Sequence, residues 1–182
     1  MTIESVPGFP LFAAVPPDDG GLGTEQGFRR AMGAFPSPVA IVTALDGDGL
    51  PRGMTCSAVC SVSMAPPSLL ICVNQHSGSL QAIRGSGGFM VNLLREDRHA
   101  LAELFASPSG DKFAALRWRL DGELGLPLLE DDAAAYVECA VEADIPAGTH
   151  AILIGLVRSS GRIGHPGRPL VYYDRTYGRW VA

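Results

Sequence analysis

The chain alternates between short apolar runs and turn-forming residues, and most of the runs have the composition of β-strands. The clearest runs are residues 39–45 (VAIVTAL), 68–74 (SLLICVN), 89–94 (FMVNLL), 133–145 and 150–160. Residues 46–49 (DGDG) join the first run to a strand that returns from Arg52. This pattern predicts a hairpin and not a phosphate-binding loop, because no helical pattern follows the glycines.

Three stretches carry apolar residues at helical spacing, namely residues 24–35, 77–88 and 96–107. Thr24 is a suitable N-cap for the first stretch. The apolar face of this first helix consists of Phe28, Ala31, Met32 and Phe35. The third helix is expected to turn Leu101, Leu104 and Phe105 inward.

The two long runs near the end of the chain differ in pattern. Residues 133–145 alternate, with Val137, Cys139 and Val141 on one face and Glu138, Ala140 and Glu142 on the other. This alternation predicts a half-exposed antiparallel strand. Residues 150–160 are apolar on both faces, which predicts a strand that is central or covered by another subunit. Hairpins and short helices between successive strands predict a mostly β fold with helical decorations, a small antiparallel barrel with Greek-key-like connections.

Length and charge restrict the classes of protein that remain. The chain has 182 residues, of which 47% are hydrophobic and 18% charged, which suits one globular domain. We assign residues 23–182 to this domain and residues 1–22 to a flexible N-terminal extension. The net charge is −5 and Lys112 is the single lysine, so a nucleic acid partner is not expected. No run approaches the roughly 18 apolar residues that span a membrane, and the N-terminus lacks the basic region of a signal peptide.

The cysteines Cys56, Cys60, Cys72 and Cys139 each lie in an apolar, strand-like run. They form no CxxC pair and have no neighbouring histidine, so we predict no metal site. Buried, reduced thiols are the expected state, and they suggest a cytoplasmic location.

Residues 53–68 (GMTCSAVCSVSMAPPS) form a strand pattern with unusually small and hydroxylated side chains. Small side chains allow a flat ligand to approach the backbone, and hydroxyl groups can bind a polyol or a phosphate. Residues 74–80 (NQHSGSL) then enter a helix, which brings hydroxyl groups and a helix N-terminus together in an anion-binding pattern. The alternative is that these serines only cap the helix and line the barrel. The residues by themselves leave both interpretations open.

Other candidate groups are isolated in the sequence. His150 begins the apolar run 150–160, where a histidine is most often simply solvated. No arrangement of Ser-His-Asp or Cys-His type can be argued. The carboxylate pairs Asp18–Asp19 and Asp131–Asp132 are interpreted as solvated turns.

Residues 28–180 resemble the flavin reductase family, which has the FMN-binding split-barrel fold and supplies two-component monooxygenases. The matching segments include FRRAMGAFPSPVAIVTALD, LPRGMTCSAVCSVSMAPPSLLICVN, GGFMVNLL, FASPSGDKFA, YVECAVEADIPAGTHAILIGLV and PLVYYDRTYGRW. The resemblance implies hydride transfer from NADH or NADPH to FMN or FAD. It also implies a homodimer and a separate flavin-dependent monooxygenase that receives the reduced flavin.

The resemblance also implies roles for individual residues. The flavin ring and ribityl chain would be held by Ser37, Pro38, Thr55, Cys56, Ser57, Ser61, Val62 and Ser63. The phosphate would be held by Gln75, Ser77, Ser79 and Lys112. The nicotinamide cofactor would be contacted by His150, Tyr177 and Arg179.

This chain departs from the family pattern at three positions. Thr149 replaces the aspartate of the Gly-Asp-His signature, Ser57 stands where relatives carry asparagine, and Cys60 where they carry threonine. Two other functions therefore remain as alternatives. The first is a non-catalytic flavin carrier of the same fold, and the second is a structural or metal-binding protein that uses Cys56 and Cys60.

Overall fold

The computed structural model describes residues 24–108, 110–164 and 168–179, so the proposed extension over residues 1–22 lies outside the described residues. Three helices occur in these ranges: α1 (Glu25–Gly33), α2 (Gly78–Ser86) and α3 (His99–Ala106). The twelve strands are β1 (Ser37–Pro38), β2 (Ala40–Leu45), β3 (Pro51–Cys56), β4 (Val59–Met64), β5 (Pro67–Asn74), β6 (Gly88–Leu94), β7 (Arg119–Asp121), β8 (Leu126–Leu128), β9 (Ala133–Ala147), β10 (His150–Arg162), β11 (Leu170–Tyr173) and β12 (Thr176–Arg179).

Seven strands form one antiparallel sheet in the order β3-β2-β6-β9-β10-β5-β4. A small sheet, β1-β11-β12, and the β7–β8 hairpin complete the β-structure of the described residues. The mostly β, antiparallel architecture is confirmed, and so is the central position of β10, which pairs with β5 and β9.

The large sheet must curl, because its two edge strands are consecutive in the chain. Strands β3 and β4 lie at opposite edges, yet only Ser57 and Ala58 connect them. Three Cα–Cα steps reach at most about 11 Å, so the two edges approach each other at this connection. We call this place the seam. Because β3 and β4 do not pair with each other, the arrangement is consistent with a split barrel.

Apolar residues pack on both faces of the curled sheet. Ile71, Phe89 and Leu153 lie on one face, which α2 covers with Leu80. Ile41 and Leu94 lie on the other face, which α3 covers with Phe105. Strand β2 supplies both clusters through alternate residues, which explains why its sequence is continuously apolar.

Glu138 corrects the predicted exposure pattern of β9. The alternation places it on the solvent face with Glu142, but Glu138 is fully buried. Its carboxylate accepts hydrogen bonds from the backbone N–H groups of Glu123 and Leu124, each at 2.9 Å. These residues form the turn between β7 and β8, so this hairpin covers the part of β9 that the sequence pattern leaves exposed.

The helices confirm their predicted positions but not every predicted face. The Thr24 Oγ1 accepts from the Gly27 N–H at 2.9 Å, as expected of an N-cap. Helix α1 nevertheless has no buried residue, and its apolar side chains Phe28 and Met32 are exposed. In α3, Leu101 and Phe105 are buried as predicted, whereas Leu104 is 38% exposed, which corrects its predicted inward position.

All four cysteines are free thiols. Cys56 and Cys139 are buried, and burial raises their pKa values to about 11 and about 12. Cys72 is half-buried, but Cys60 is exposed, which corrects the expectation of four buried thiols. Cys60 lies on β4, an edge strand whose outer face nothing in the described chain covers.

Candidate functional site

A groove of about 1260 Å³ follows the free edge of β3. Its floor includes residues 50–55, one wall is the N-terminal end of α2, and the other wall consists of residues from 105–108 and 110–118. Neighbouring residues of β3 point to opposite faces of the sheet, so Met54 reaches Ser77 of the first wall while Gly53 meets Phe105 of the second. A ligand in the groove would meet both walls and the unpaired backbone groups of an edge strand.

The α2 wall offers the donors that an anion requires. Ser77 is the N-cap of α2, and its hydroxyl oxygen accepts from the Ser79 N–H at 3.2 Å. Both serines line the groove together with Gly78, which has open space where a side chain would begin. The partial positive charge of the helix N-terminus therefore faces the groove beside two hydroxyl groups.

Lys112 brings a full positive charge to the other wall. Its Nζ donates to the backbone carbonyl of Phe105 at 2.8 Å and lies 5.7 Å from the centre of the Phe105 ring. Partial burial lowers the pKa of Lys112, because removal from water disfavours the charged form. An anion bound in the groove would supply the opposite charge.

Three aromatic rings form the rest of this wall. Phe113 packs edge-on against Phe105, with ring centres 5.1 Å apart, and against Trp118, with ring centres 6.0 Å apart. Gly53 permits this packing, because a Cβ at that position would lie 2.7 Å from Cε1 of Phe105. The glycine therefore brings the aromatic wall into direct contact with the β3 backbone.

Four predicted site residues come together in this groove: Thr55, Ser77, Ser79 and Lys112. The Thr55 hydroxyl donates to the Ala102 carbonyl of α3 at 2.5 Å. Its proton is therefore engaged, and the oxygen remains available as an acceptor.

Gln75 and His150 lie beside the groove and do not line it. The Gln75 Nε2 donates to the carbonyls of Gly148 and His150, at 2.9 and 3.2 Å. Its amide N–H groups are thus directed at the β9–β10 turn rather than into the groove. His150 is exposed and pairs in register with Asn74, a groove residue. Thr149 Oγ1 lies 2.9 Å from His150 Nδ1, which leaves Nε2 as the remaining polar atom of the ring.

Five predicted residues lie at the seam and on β4 and do not line the groove: Cys56, Ser57, Ser61, Val62 and Ser63. The Cys56 side chain points into the core, where its thiol contacts the Ala58 and Cys72 carbonyls. Ser57, Ser61 and Val62 are exposed. The Ser63 hydroxyl oxygen accepts from the Ala65 N–H at 3.0 Å.

The last four predicted residues belong to the small sheet: Ser37, Pro38, Tyr177 and Arg179. Ser37 and Pro38 pair with Tyr172 and Val171 of β11. Tyr177 lines a separate cavity of about 410 Å³, together with Glu96, His99 and Glu103. Burial raises the pKa of Tyr177, and the neighbouring Tyr172 and Glu103 raise it further.

Several groove residues escape the sequence analysis: Arg52, His76, Phe105, Phe113 and Trp118. Phe105 is predicted only as a core residue. Phe113 and Trp118 follow the third predicted helix in a stretch with neither a helical nor a strand pattern, and Arg52 and His76 carry no sequence signal of a site. Among the residues that the structure describes, no cluster of three or more histidine, cysteine or acidic side chains is arranged to hold a metal ion. None of the described helices combines the length and apolar character required to cross a bilayer.

Comparison with known proteins identifies the chain. The sequence profile of the family described as "Flavin reductase like domain" matches residues 32–181. A flavin reductase (NADH) from Kitasatospora aureofaciens is 43% identical over 88% of this chain and 84% of its own length. A flavin reductase (NADPH) from Lentzea aerocolonigenes is 40% identical over 87% of this chain and 91% of its own length.

A solved structure extends the likeness to the fold. The NADH:FAD oxidoreductase of Streptomyces globisporus C-1027, in complex with NAD and FAD fragments, superimposes with a TM-score of 0.79 at 31% identity. The alignment covers 93% of this chain and 98% of that one. The profile, the relatives and the fold agree over nearly the whole described structure, and the chain belongs to the flavin reductase like family.

Proposed function

We propose that this chain is an NAD(P)H:flavin oxidoreductase that binds the phosphate end of its flavin nucleotide in the β3 groove. The observation that carries the proposal is the meeting of Ser77, Ser79 and Lys112 across one groove. Hydroxyl groups, a helix N-terminus and an ammonium group on facing walls are a donor set suited to a phosphate. The groove is also large enough for a nucleotide.

The flavin ring would extend from the groove towards the seam. Thr55 lies in the groove, and Ser57 follows two residues later at the exposed connection to β4. Small residues at Ser57 and Ala58 leave the backbone accessible to a flat ring. This placement agrees with the roles proposed for Cys56, Ser61, Val62 and Ser63, with Cys56 contributing through its backbone. The proposed roles of Ser37, Pro38 and Arg179 stay predictions.

A flavin held there would supply the hydride-accepting chemistry, with the nicotinamide cofactor as the hydride source. The contribution of the protein is to hold the two rings in reacting geometry and to exclude competing orientations. His150 is proposed to contact the nicotinamide cofactor from its place beside Asn74. The hydrogen bond between Thr149 Oγ1 and Nδ1 restricts the ring of His150, so Thr149 is proposed as a positioning residue. Gln75 supports the same turn by binding the carbonyls on either side of Thr149.

The test is the oxidation of NADH or NADPH by purified protein, followed with FMN, FAD or no flavin. We expect rapid oxidation that requires added flavin. Tightly bound flavin without turnover would indicate the non-catalytic carrier instead. The absence of both flavin binding and turnover would contradict the proposal.

His150→Ala tests the nicotinamide contact. We expect a several-fold higher apparent KM for the nicotinamide cofactor and an unchanged dissociation constant for the flavin, because His150 does not line the groove. Arg162→Ala is the control, since Arg162 is exposed at the other end of the same strand and lines neither cavity. Kinetics of His150→Ala that equal the wild type at every nicotinamide concentration would remove His150 from the mechanism.

The proposal includes two protein partners, a separate monooxygenase and a second copy of this chain. Relatives at 35–42% identity are reductase components of monooxygenases, which supports a separate flavin-dependent monooxygenase as the acceptor of the reduced flavin. A homodimer is supported by exposed apolar side chains on α1 and just after it, where Phe28, Met32 and Phe35 are 48–66% exposed. Light scattering after gel filtration should give twice the chain mass of 19.1 kDa, and a single-chain mass would contradict the dimer. The cytoplasmic location stays a prediction.

A further inference from the structure

Helix α2 is attached to strand β9 at its C-terminal end by two sets of hydrogen bonds. The carbonyl of Gly87, the C-cap residue of α2, accepts from the Val141 N–H at 2.9 Å. One turn earlier, Arg84 donates to both carboxylate oxygens of Asp144, from Nε at 2.7 Å and from a terminal nitrogen at 3.2 Å. The helix and the strand therefore run in opposite directions, and the N-terminal end of α2 lies towards the tip of the β9–β10 hairpin.

Gln75, just before α2, binds that tip through three hydrogen bonds. Its backbone N–H donates to the Thr149 carbonyl at 3.0 Å, and its Nε2 donates to the Gly148 and His150 carbonyls at 2.9 and 3.2 Å. One residue thus engages three successive carbonyls of the turn. Gly148, Thr149 and His150 are all exposed, so apolar burial contributes little to the placement of the turn. The hydrogen bonds of Gln75 therefore decide where the turn lies.

The segment that contains Gln75 also begins the proposed phosphate site. The Ser77 N–H donates to the Asn74 carbonyl at 3.0 Å, and the His76 N–H donates to Asn74 Oδ1 at 2.8 Å. These two bonds close residues 74–77 into a turn and hold Gln75 at a fixed place relative to Ser77. Asn74 also pairs with His150 in the register of β5 and β10. A short hydrogen-bonded segment therefore links the first donor of the phosphate site to the histidine of the hairpin tip.

We propose that Gln75 and the Arg84–Asp144 pair form a clamp that holds the α2 phosphate site at a fixed distance from His150. The proposal rests on the proposed function, since it takes the flavin phosphate to bind at α2 and the nicotinamide cofactor to contact His150. Hydride transfer requires the two rings to lie within reacting distance, and a shift of the hairpin tip relative to α2 would separate them. Gln75 is then a positioning residue for the nicotinamide cofactor, a role different from the phosphate contact that the family resemblance implies.

Gln75→Met tests the first half of the clamp. Methionine keeps the length of the side chain and the backbone N–H but removes both Nε2 hydrogen bonds. Equilibrium dialysis should show that NAD⁺, which cannot reduce the flavin, binds several-fold more weakly to the FMN-loaded variant, whereas the dissociation constants of FMN and riboflavin stay unchanged. Gln81→Met is the matched control, since Gln81 is exposed on the same helix and lies outside the groove, and it should keep all three constants.

A charge exchange tests the second half. Arg84→Glu and Asp144→Arg should each slow the reduction of bound FMN at saturating NADH several-fold in stopped flow, and the double variant, with the charges reversed, should recover most of the rate. The side chains of this pair are 47% and 29% exposed, so the pair adds little to stability and the midpoints of urea denaturation should stay close to that of the wild type. Arg29→Glu is the control, because it breaks the exposed Arg29–Glu25 pair of α1 and leaves α2 intact.

The contrary outcomes are distinguishable from one another. A loss of FMN affinity without a loss of riboflavin affinity in Gln75→Met would make Gln75 a phosphate ligand and overturn its positioning role. Wild-type NAD⁺ affinity in Gln75→Met, or a double variant as slow as the single variants, would remove the clamp and leave the proposed reductase intact. Failure of the wild-type protein to bind flavin and reduce it would overturn the proposed function itself.

Discussion

Among single residues, Lys112 most clearly marks the groove as an anion site. It is the single lysine of the chain and lines the wall opposite the N-terminus of α2. Its ammonium group already has the Phe105 carbonyl as a partner. Its position is therefore fixed before any ligand binds, and an anion would meet a preorganised charge.

Lys112→Gln should weaken FMN binding by about tenfold, the effect of losing one charge-assisted hydrogen bond of roughly 1.5 kcal/mol. Riboflavin, which lacks the phosphate, should bind the variant and the wild type alike. Titration of both ligands at low and high salt checks this prediction. An equal loss of riboflavin and FMN affinity would show that Lys112 supports the wall and not the phosphate.

The thiols should differ strongly in reactivity. Burial raises the pKa values of Cys56 and Cys139 to about 11 and about 12, so at pH 8 both are protonated and enclosed. Exposed Cys60 should react first with an aromatic disulfide reagent, and Cys60→Ser should remove this fast phase. A fast phase that persists in Cys60→Ser would contradict the burial of the other thiols.

Strand β3 is the element that organises the site, because it is both an edge of the sheet and the floor of the groove. Gly53→Ala places a Cβ 2.7 Å from the Phe105 ring and 3.2 Å from the Phe113 ring. We expect a loss of about 1–3 kcal/mol in the free energy of unfolding, measured by urea denaturation. Gly47→Ala is the matched control in the hairpin before β3, since no atom lies within 4 Å of its added methyl group. Equal stability of the two variants would show that the aromatic wall does not pack against β3.

The β7–β8 hairpin should depend on Glu138. Glu138→Gln replaces one of the two carboxylate oxygens that bind the turn with an NH₂ group, which leaves a buried N–H without an acceptor. This should reduce the free energy of unfolding by about 1–3 kcal/mol, whereas Glu142→Gln, at an exposed position of the same strand, should change it little. Urea denaturation of both variants tests this prediction. A Glu138→Gln variant as stable as the wild type would mean that water can replace the carboxylate.

At the scale of elements, the sequence predicts what is local and misses what depends on distant packing. The strands over 39–45 and 68–74 and the N-cap at Thr24 follow from periodicity and capping chemistry. The burial of Glu138 could not be predicted, because the turn that it binds lies 14 and 15 residues away. The exposure of the apolar face of α1 could not be predicted either, because periodicity shows that a face is apolar but not what covers it.

For the whole molecule, the curled sheet explains why the connection between β3 and β4 consists of two small residues. The chain must pass from one edge of the barrel to the other through Ser57 and Ala58, so the segment stays small and exposed. The sequence predicts Thr55, Ser77, Ser79 and Lys112 as site residues, but their meeting in one groove depends on this curl. Trp118 and Arg52 join them only through tertiary structure, which is why the pattern of the chain gives no sign of their role.

The measurement that tests the central claim most directly is the flavin-dependent rate of NADH oxidation after the groove is filled. Gly78 lines the groove and a Cβ added there meets no atom within 4 Å, so Gly78→Phe should place a ring in the phosphate site. Gly85→Phe is the control on the same helix, with the same open space but outside the groove. We predict that Gly78→Phe loses at least about nine-tenths of the rate at a fixed flavin concentration, whereas Gly85→Phe keeps it. A Gly78→Phe variant with the wild-type rate would contradict the account, because the flavin would then bind elsewhere.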